Sequence, residues 1–223
     1  MELITYADSE MMMIEIAQRL AGELRQALQA SDRASIAVPG GTTPGPIFDS
    51  LCAADIEWDR VSVMLTDERW VPEESPRSNT RLLRQRLLVN RAAAACYLPL
   101  HLATDSPEEG IPVLEKAIAE VLPLTTCLLG MGEDMHTASI FPGADRLDEA
   151  LHGELILVPM RAPGAPEPRV TLTAAVLGRS IERHIVIVGP EKREALERAR
   201  TLPPEEAPVA ALLRGSVVHW AER

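Results

Sequence analysis

Aromatic side chains make up only 3% of this 223-residue sequence, so its interior must be built from Leu, Val, Ile and Ala. Cysteine is nearly absent too. Cys52, Cys96 and Cys127 are odd in number and widely spaced, with no CxxC and no Cys/His cluster at metal-ligand spacing. That excludes a disulfide scaffold and a zinc site of the usual spacing, and it predicts buried free thiols in a reducing cytoplasm. No apolar run approaches the ~20 residues needed to cross a bilayer. The first residues, MELITYADSEMMM, are acidic and carry no basic leader. The expected location is therefore cytoplasmic, with no membrane partner.

Positive charge is also short. The net charge is −11, which disfavours nucleic acid as a partner and leaves room only for a small anion met by a local cluster of cations. Among 22 basic residues only Lys116 and Lys192 are lysine, so each stands against a strong bias towards arginine. Familiar nucleotide and hydrolase signatures are missing. No GK[ST] follows a glycine loop, no GxGxxG is present, and there is no GxSxG nucleophile elbow.

What is present is an alternation of short apolar runs and 3.6-period stretches. A helix is predicted over 9–30, with Met11-Met12-Met13 as its apolar entry. Strands are predicted over 35–39, 61–65, 124–129, 155–158, 169–173, 184–188 and 216–220. Helices are predicted from Pro44, from Ser78 or Asn79, behind a Ser106-Pro107-Glu108-Glu109 capping box, and over 190–200. This order predicts an α/β fold with a mostly parallel, doubly wound, right-handed sheet. No long linker divides the chain, so residues 1–223 are expected to form a single domain.

The chemistry-bearing motifs all fall at the carboxyl ends of predicted strands, where such sheets bind ligands. Gly40-Gly41-Thr42-Thr43-Pro44 lies between a strand and a helix, where close backbone approach and hydroxyls suit a phosphate. An ordinary βα turn with a threonine cap would look the same. Asp67-Glu68-Arg69 follows the next strand, and a surface ion-pair cluster is its plain alternative. Asp134 and His136 stand two apart after Gly130 and Gly132, which suits a carboxylate that fixes an imidazole for acid–base work. Lys192 falls in the first turn of a helix, where a cation opposes the dipole unless an anion joins it. Arg169 opens a segment after a Pro-rich loop. His101, His152, His184 and His219 have no comparable setting and are expected to be structural.

Six blocks, "VPGGTTP", "TDERWVPEESPRSNTRLL", "LLGMGEDMHTASIFPG", "RVTLTAAVL", "VIVGPEKREALERA" and "PVAALLRGSVVHW", together resemble the 6-phosphogluconolactonase family, in order and over nearly the whole chain. That family sits in the glucosamine/galactosamine-6-phosphate isomerase superfamily. The resemblance implies a three-layer, Rossmann-like α/β/α fold, no metal and no organic cofactor. It implies hydrolysis of 6-phospho-D-glucono-1,5-lactone to 6-phosphogluconate in the oxidative pentose phosphate pathway, by a monomer or small homo-oligomer. His136 matches the general base and Asp134 its supporting carboxylate. Gly40, Gly41, Thr42, Asp67, Arg69, Arg169 and Lys192 match the substrate and phosphate positions.

The related glucosamine-6-phosphate deaminases typically carry a tyrosine where Arg69 stands. They also have an Asn-Glu-Pro-Gly segment where this chain has Ser139 to Gly143, and their chemistry uses that glutamate beside the histidine to open a sugar ring. A deaminase is thus one rival reading, and a non-catalytic sugar-phosphate-binding module is another. Met135 departs from the lactonase pattern, which usually has glycine there. It implies either a strained positive φ or a narrower pocket.

Overall fold

The computed structural model describes residues 1–223, with ten strands and eight α-helices. The strands are β1 (Glu2–Tyr6), β2 (Ala34–Val38), β3 (Val61–Leu65), β4 (Asp67–Arg69), β5 (Cys96–Leu98), β6 (Thr126–Gly130), β7 (Leu157–Met160), β8 (Arg169–Leu172), β9 (Glu182–Val188) and β10 (Val217–Ala221). The helices are α1 (Ser9–Ala30), α2 (Gly45–Leu51), α3 (Asn79–Arg86), α4 (Pro107–Ala119), α5 (Leu147–His152), α6 (Ala174–Gly178), α7 (Pro190–Ala199) and α8 (Ala210–Leu213).

Seven strands form one parallel sheet in the order β1-β10-β9-β6-β2-β3-β5. Every residue of β2 and β3 is buried, as expected for central strands covered on both faces. From β2 the chain moves one way to β3 and β5, and β6 then docks on the other side of β2. The carboxyl ends of β2 and β6 therefore flank a switch point, where a crevice opens. The helices and sheet enclose a core of 58 buried residues, mostly aliphatic, as the lack of aromatics requires.

A second, three-stranded antiparallel sheet, β4-β8-β7, lies beside the first and was not expected. Its strands run to only three or four residues, too short to show a period of two. Thr66 joins the two sheets: its N–H donates to Val38 O at 2.9 Å, and its carbonyl accepts from Leu172 N at 2.9 Å.

Helix α1 begins where Asp8 accepts from Met11 N at 2.8 Å. It buries Met12, Met13, Ile16, Leu20, Leu24 and Leu28 along one face, so the methionine run is core, with Met11 turned outward. Several expectations need correction. β1 and β5 were not anticipated, nor were α5, α6 and α8, whose four to six residues complete no amphipathic pattern. Ser106 does cap α4, but its hydroxyl makes no cap bond. Thr104 Oγ1 instead donates to Ser106 O, and Glu108 is held by Arg161. β7 starts at Leu157 rather than Leu155, because Glu115 of α4 accepts the N–H groups of Ile156 and Leu157 at 3.1 and 2.9 Å. Cys52 and Cys127 are buried, whereas Cys96 is exposed on edge strand β5.

A polar seam runs through the core under α1. Tyr6 Oη lies 2.8 Å from His219 Nδ1, His219 Nε2 lies 3.0 Å from His184 Nδ1, and His184 Nε2 lies 2.8 Å from Glu23 Oε1. Thr126 Oγ1 donates to the other Glu23 oxygen at 2.8 Å. One proton assignment satisfies every member: each hydroxyl or ring N–H donates towards Glu23, and both histidines are neutral. Burial, with help from the Arg19 guanidinium, pushes the His219 imidazole from 6.5 down to about 3. The unfolded chain takes up a proton near pH 6.5 that the folded chain refuses until about pH 3. Stability contributed by neutral His219 is therefore lost as pH falls below 6.5. Urea midpoints measured from pH 7 to pH 4.5 should fall in the wild type. His219→Asn should be less stable at pH 7 and lose less on acidification.

Candidate active site

A polar cleft of about 300 Å³ opens at the switch point. Gly40, Gly41 and Thr42 line it from the loop after β2, Asp67 and Arg69 from β4, His136 from the loop after β6, Arg169 from β8 and Lys192 from α7. Every candidate except Asp134 is thus in the wall, and Asp134 touches His136 from beside it. Neither threonine of the glycine loop caps α2: Pro44 takes that position and makes no side-chain bond. The Thr42 side chain is left exposed.

The loop after β6 closes on itself, with Gly132 N donating to His136 O and Met135 N to Gly132 O, both at 3.0 Å. Asp134 Oδ1 accepts the His136 backbone N–H at 3.2 Å and lies 2.5 Å from His136 Nδ1. With the proton on Nδ1, Nε2 keeps a free lone pair. Partial burial pushes the Asp134 carboxyl up, but its bonds to His136 outweigh this and hold it below the usual range. It therefore stays ionised as an orienting group. The pair needs glycine at 132, since a Cβ there would sit 2.2 Å from His136 Nδ1 and 2.4 Å from Asp134 Oδ1.

Met135 takes the left-handed conformation, φ 66°, so the strained alternative holds. Its side chain is buried in the core and does not line the cleft, so the cleft is not narrowed. Its carbonyl accepts Val209 N at 3.1 Å, which fastens the loop after β6 to the segment before α8.

Arg69 and Arg169 are direct cross-strand partners in the β4–β8 pair. Like charges placed opposite one another destabilise a sheet. Both Nε atoms are buried without a hydrogen-bond partner. Arg69 Nη1 donates to Arg77 O at 2.6 Å, while Arg169 reaches only Ser139 Oγ, at 3.5 Å. Burial pushes the Arg169 guanidinium down, with Asp67 the largest opposing influence. Asp67 itself is already engaged: Oδ2 accepts from Ser139 Oγ at 2.6 Å and Oδ1 from Thr66 Oγ1 at 3.1 Å. Its carboxylate is therefore better placed to anchor the wall than to meet a ligand. In α7, Arg193 pairs with Glu197, and Lys192 faces the cleft. Two arginines and a lysine thus converge on one cleft of an acidic protein, an arrangement that an anion would relieve.

Sequence reasoning marked Glu68 only as a member of the Asp67-Glu68-Arg69 triplet and Asn79 only as a possible helix cap, and missed their part in building the cleft. Glu68 is fully buried and accepts five hydrogen bonds. Oε1 takes Arg69 N and Asn79 N at 2.8 Å each; Oε2 takes Thr80 N and Thr80 Oγ1 at 2.7 Å each and Ser78 Oγ at 3.2 Å. Asn79 lines the cleft, donates to Asp67 O at 3.0 Å and packs against Gly40, where a Cβ would meet its carboxamide at 2.1 Å. No cluster of three or more His, Cys, Asp or Glu side chains is arranged to hold a metal ion.

Comparison with known proteins bears on this cleft. Residues 7–220 match the family described as glucosamine-6-phosphate isomerases/6-phosphogluconolactonase. The 6-phosphogluconolactonase of Rhizobium meliloti (strain 1021) is 39% identical over 214 residues, 92% of each chain. A crystal structure of a 6-phosphogluconolactonase from Shewanella baltica OS155 superposes with a TM-score of 0.96 at 30% identity, covering 99% of this chain and 97% of the other. A monomeric glucosamine-6-phosphate deaminase has the same fold, with a TM-score of 0.82 at 16% identity, covering 99% and 97%.

Two substitutions test the construction of the cleft. Glu68→Gln keeps the size but turns an amide N–H₂ towards donors, so urea denaturation should show a loss of about 2–3 kcal/mol. Met135→Gly removes the backbone strain but also a buried side chain, and the second effect is the larger. Its stability should fall by about 1–3 kcal/mol in the same measurement.

Proposed function

The chain belongs to the glucosamine-6-phosphate isomerases/6-phosphogluconolactonase family, and we propose that it hydrolyses 6-phospho-D-glucono-1,5-lactone with His136 as general base. It is an enzyme, a lactone hydrolase like the relatives named 6-phosphogluconolactonase. The observation that carries the mechanism is the His136–Asp134 contact of 2.5 Å at the edge of a cationic cleft. Asp134 accepts a hydrogen bond from Nδ1–H, which stays on the ring, and leaves Nε2 to take a proton from water. The water oxygen then bonds to the lactone carbonyl carbon, and the carbonyl electrons move onto its oxygen. When the tetrahedral species collapses, the bond to the ring oxygen breaks. His136 returns its proton to that oxygen, and the new carboxyl group ionises to give 6-phosphogluconate.

Arg69, Arg169, Lys192 and the glycine loop provide the positive surface for the phosphate. Guanidinium forks suit phosphate oxygens, and the strained Arg69–Arg169 pairing gains most from that charge. The deaminase alternative finds little support. That chemistry calls for a glutamate from the segment where this chain has Ser139 to Gly143, and here that segment sets Phe141 against His136 instead, with ring centroids 4.3 Å apart.

His136→Ala should lower kcat by roughly 10²–10⁴-fold while 6-phosphogluconate still binds within a few-fold of wild type. Freshly made lactone, with spontaneous opening subtracted, provides the assay, and unimpaired turnover would remove His136 from the mechanism. Lys192→Ala should act in the opposite sense, weakening 6-phosphogluconate binding about tenfold or more with a smaller change in kcat.

A further inference from the structure

The sequence contains two phenylalanines. Phe48 is fully buried in the core. Phe141 is half-buried beside the cleft, and its ring meets two functional groups at once. The His136 imidazole lies against it at 4.3 Å between centroids, tilted by 31°. The Arg169 guanidinium carbon lies 5.2 Å from the ring centroid, over its face.

We propose that Phe141 is a positioning residue whose ring orients His136 for proton transfer and holds Arg169 over the cleft, so that one side chain couples the proton-transfer group to the anion-binding group. The proposal rests on the general-base reading of His136 given above.

Three observations support it. First, Phe141 is itself held firmly. Ser139 and Ile140 just before it are fully buried, with Ser139 N donating to Thr171 Oγ1 at 3.2 Å and Ser139 Oγ to Asp67 at 2.6 Å. Ile140 N closes a turn onto Thr137 O at 2.9 Å, and Ala138 takes φ 49° to make that turn. Second, Arg169 has little else to fix it: one 3.5 Å contact to Ser139 and a buried Nε without a partner. An aromatic face supplies a broad, non-directional attraction for such a cation and leaves its N–H groups free for a ligand. Third, Asp134 fixes one edge of the His136 ring, but a single hydrogen bond still allows the ring plane to swing. Contact with Phe141 restrains that plane, and the negative face of its π-system favours the imidazolium formed when His136 takes the water proton. A leucine would fill the volume without that face.

The experiment is steady-state kinetics on the lactone across pH for Phe141→Leu, Phe141→Tyr and His136→Ala, with 6-phosphogluconate affinity and thermal melting for each. Phe141→Leu should lower kcat about tenfold through loss of orientation. It should raise KM and the 6-phosphogluconate dissociation constant roughly fivefold through the freed Arg169. The acid limb of its kcat/KM profile should move to lower pH. Phe141→Tyr keeps the ring face and should stay within about twofold of wild type in all three.

A Phe141→Leu enzyme with wild-type kcat, KM and acid limb overturns the proposal. So does one that melts earlier with kcat, KM and acid limb unmoved, since the ring is then only packing. Failure of Phe141→Tyr to the same extent as Phe141→Leu, in a folded protein, overturns it as well. His136→Ala separates the two levels. If that variant keeps wild-type turnover, the general-base reading falls and this proposal with it. If it is inactive while Phe141→Leu behaves as wild type, only the role of Phe141 falls.

Discussion

A carboxylate with no cation of its own organises this cleft. Glu68 sits fully buried between β4 and the start of α3, and every group it touches is a hydrogen-bond donor. Burying an ionised carboxylate costs several kcal/mol. Five donors and the positive end of a helix offset that cost. One oxygen collects the amides of Arg69 and Asn79, so the strand carrying the arginine and the helix carrying the asparagine share an anchor. Asn79 in turn fills the space that Gly40 leaves open. The glycine loop, the arginine strand and α3 are therefore set relative to one another from behind the cleft, by a residue that does not line it.

The remainder of the site is costly by construction. Two arginines face each other across a strand pair, and Met135 and Ala138 hold left-handed backbone. Strain of this kind persists only where the surroundings over-determine it. Here they do so at both ends of the loop after β6. Met135 is sunk into the aliphatic core and tied to Val209, and Ser139 is buried against Asp67 and Thr171. The loop is thus stretched between two fixed points, with His136 directly beside the first.

How much of this was legible followed from how far each signal reaches along the chain. Buried parallel strands such as Val61–Leu65 announce themselves as apolar runs, and α1 shows its period over 22 residues. The motifs at strand ends fell in the crevice because chain topology puts them there. Two strands of the small sheet, near 155–158 and 169–173, were legible, but β4 was too short to show a pattern, so the antiparallel β4-β8-β7 pairing and the apposition of Arg69 with Arg169 were invisible. Glu68 looked like one of many charged residues, since five donors spread over twelve positions leave no local trace. Phe141 gave no hint of its partners, because one of them lies 28 residues further on and comes near only through the sheets. Met135 was the exception: a single departure from a family pattern raised two alternatives, a left-handed backbone or a narrowed pocket, and the structure has the first.

The pairing of β1 with β10 bears on how the molecule is made. Glu2 lies opposite Val217, so β1 cannot find its partner until some two hundred further residues have been added. At ordinary rates of translation that wait lasts roughly ten to forty seconds. Throughout it, half of the Tyr6–His219–His184–Glu23 seam has nothing to close on, although α1 can already pack against α2 and β2. The nascent chain therefore carries an unmatched strand and two unpaired polar core groups, Tyr6 and Glu23, until β9 and β10 emerge and close the sheet on that side.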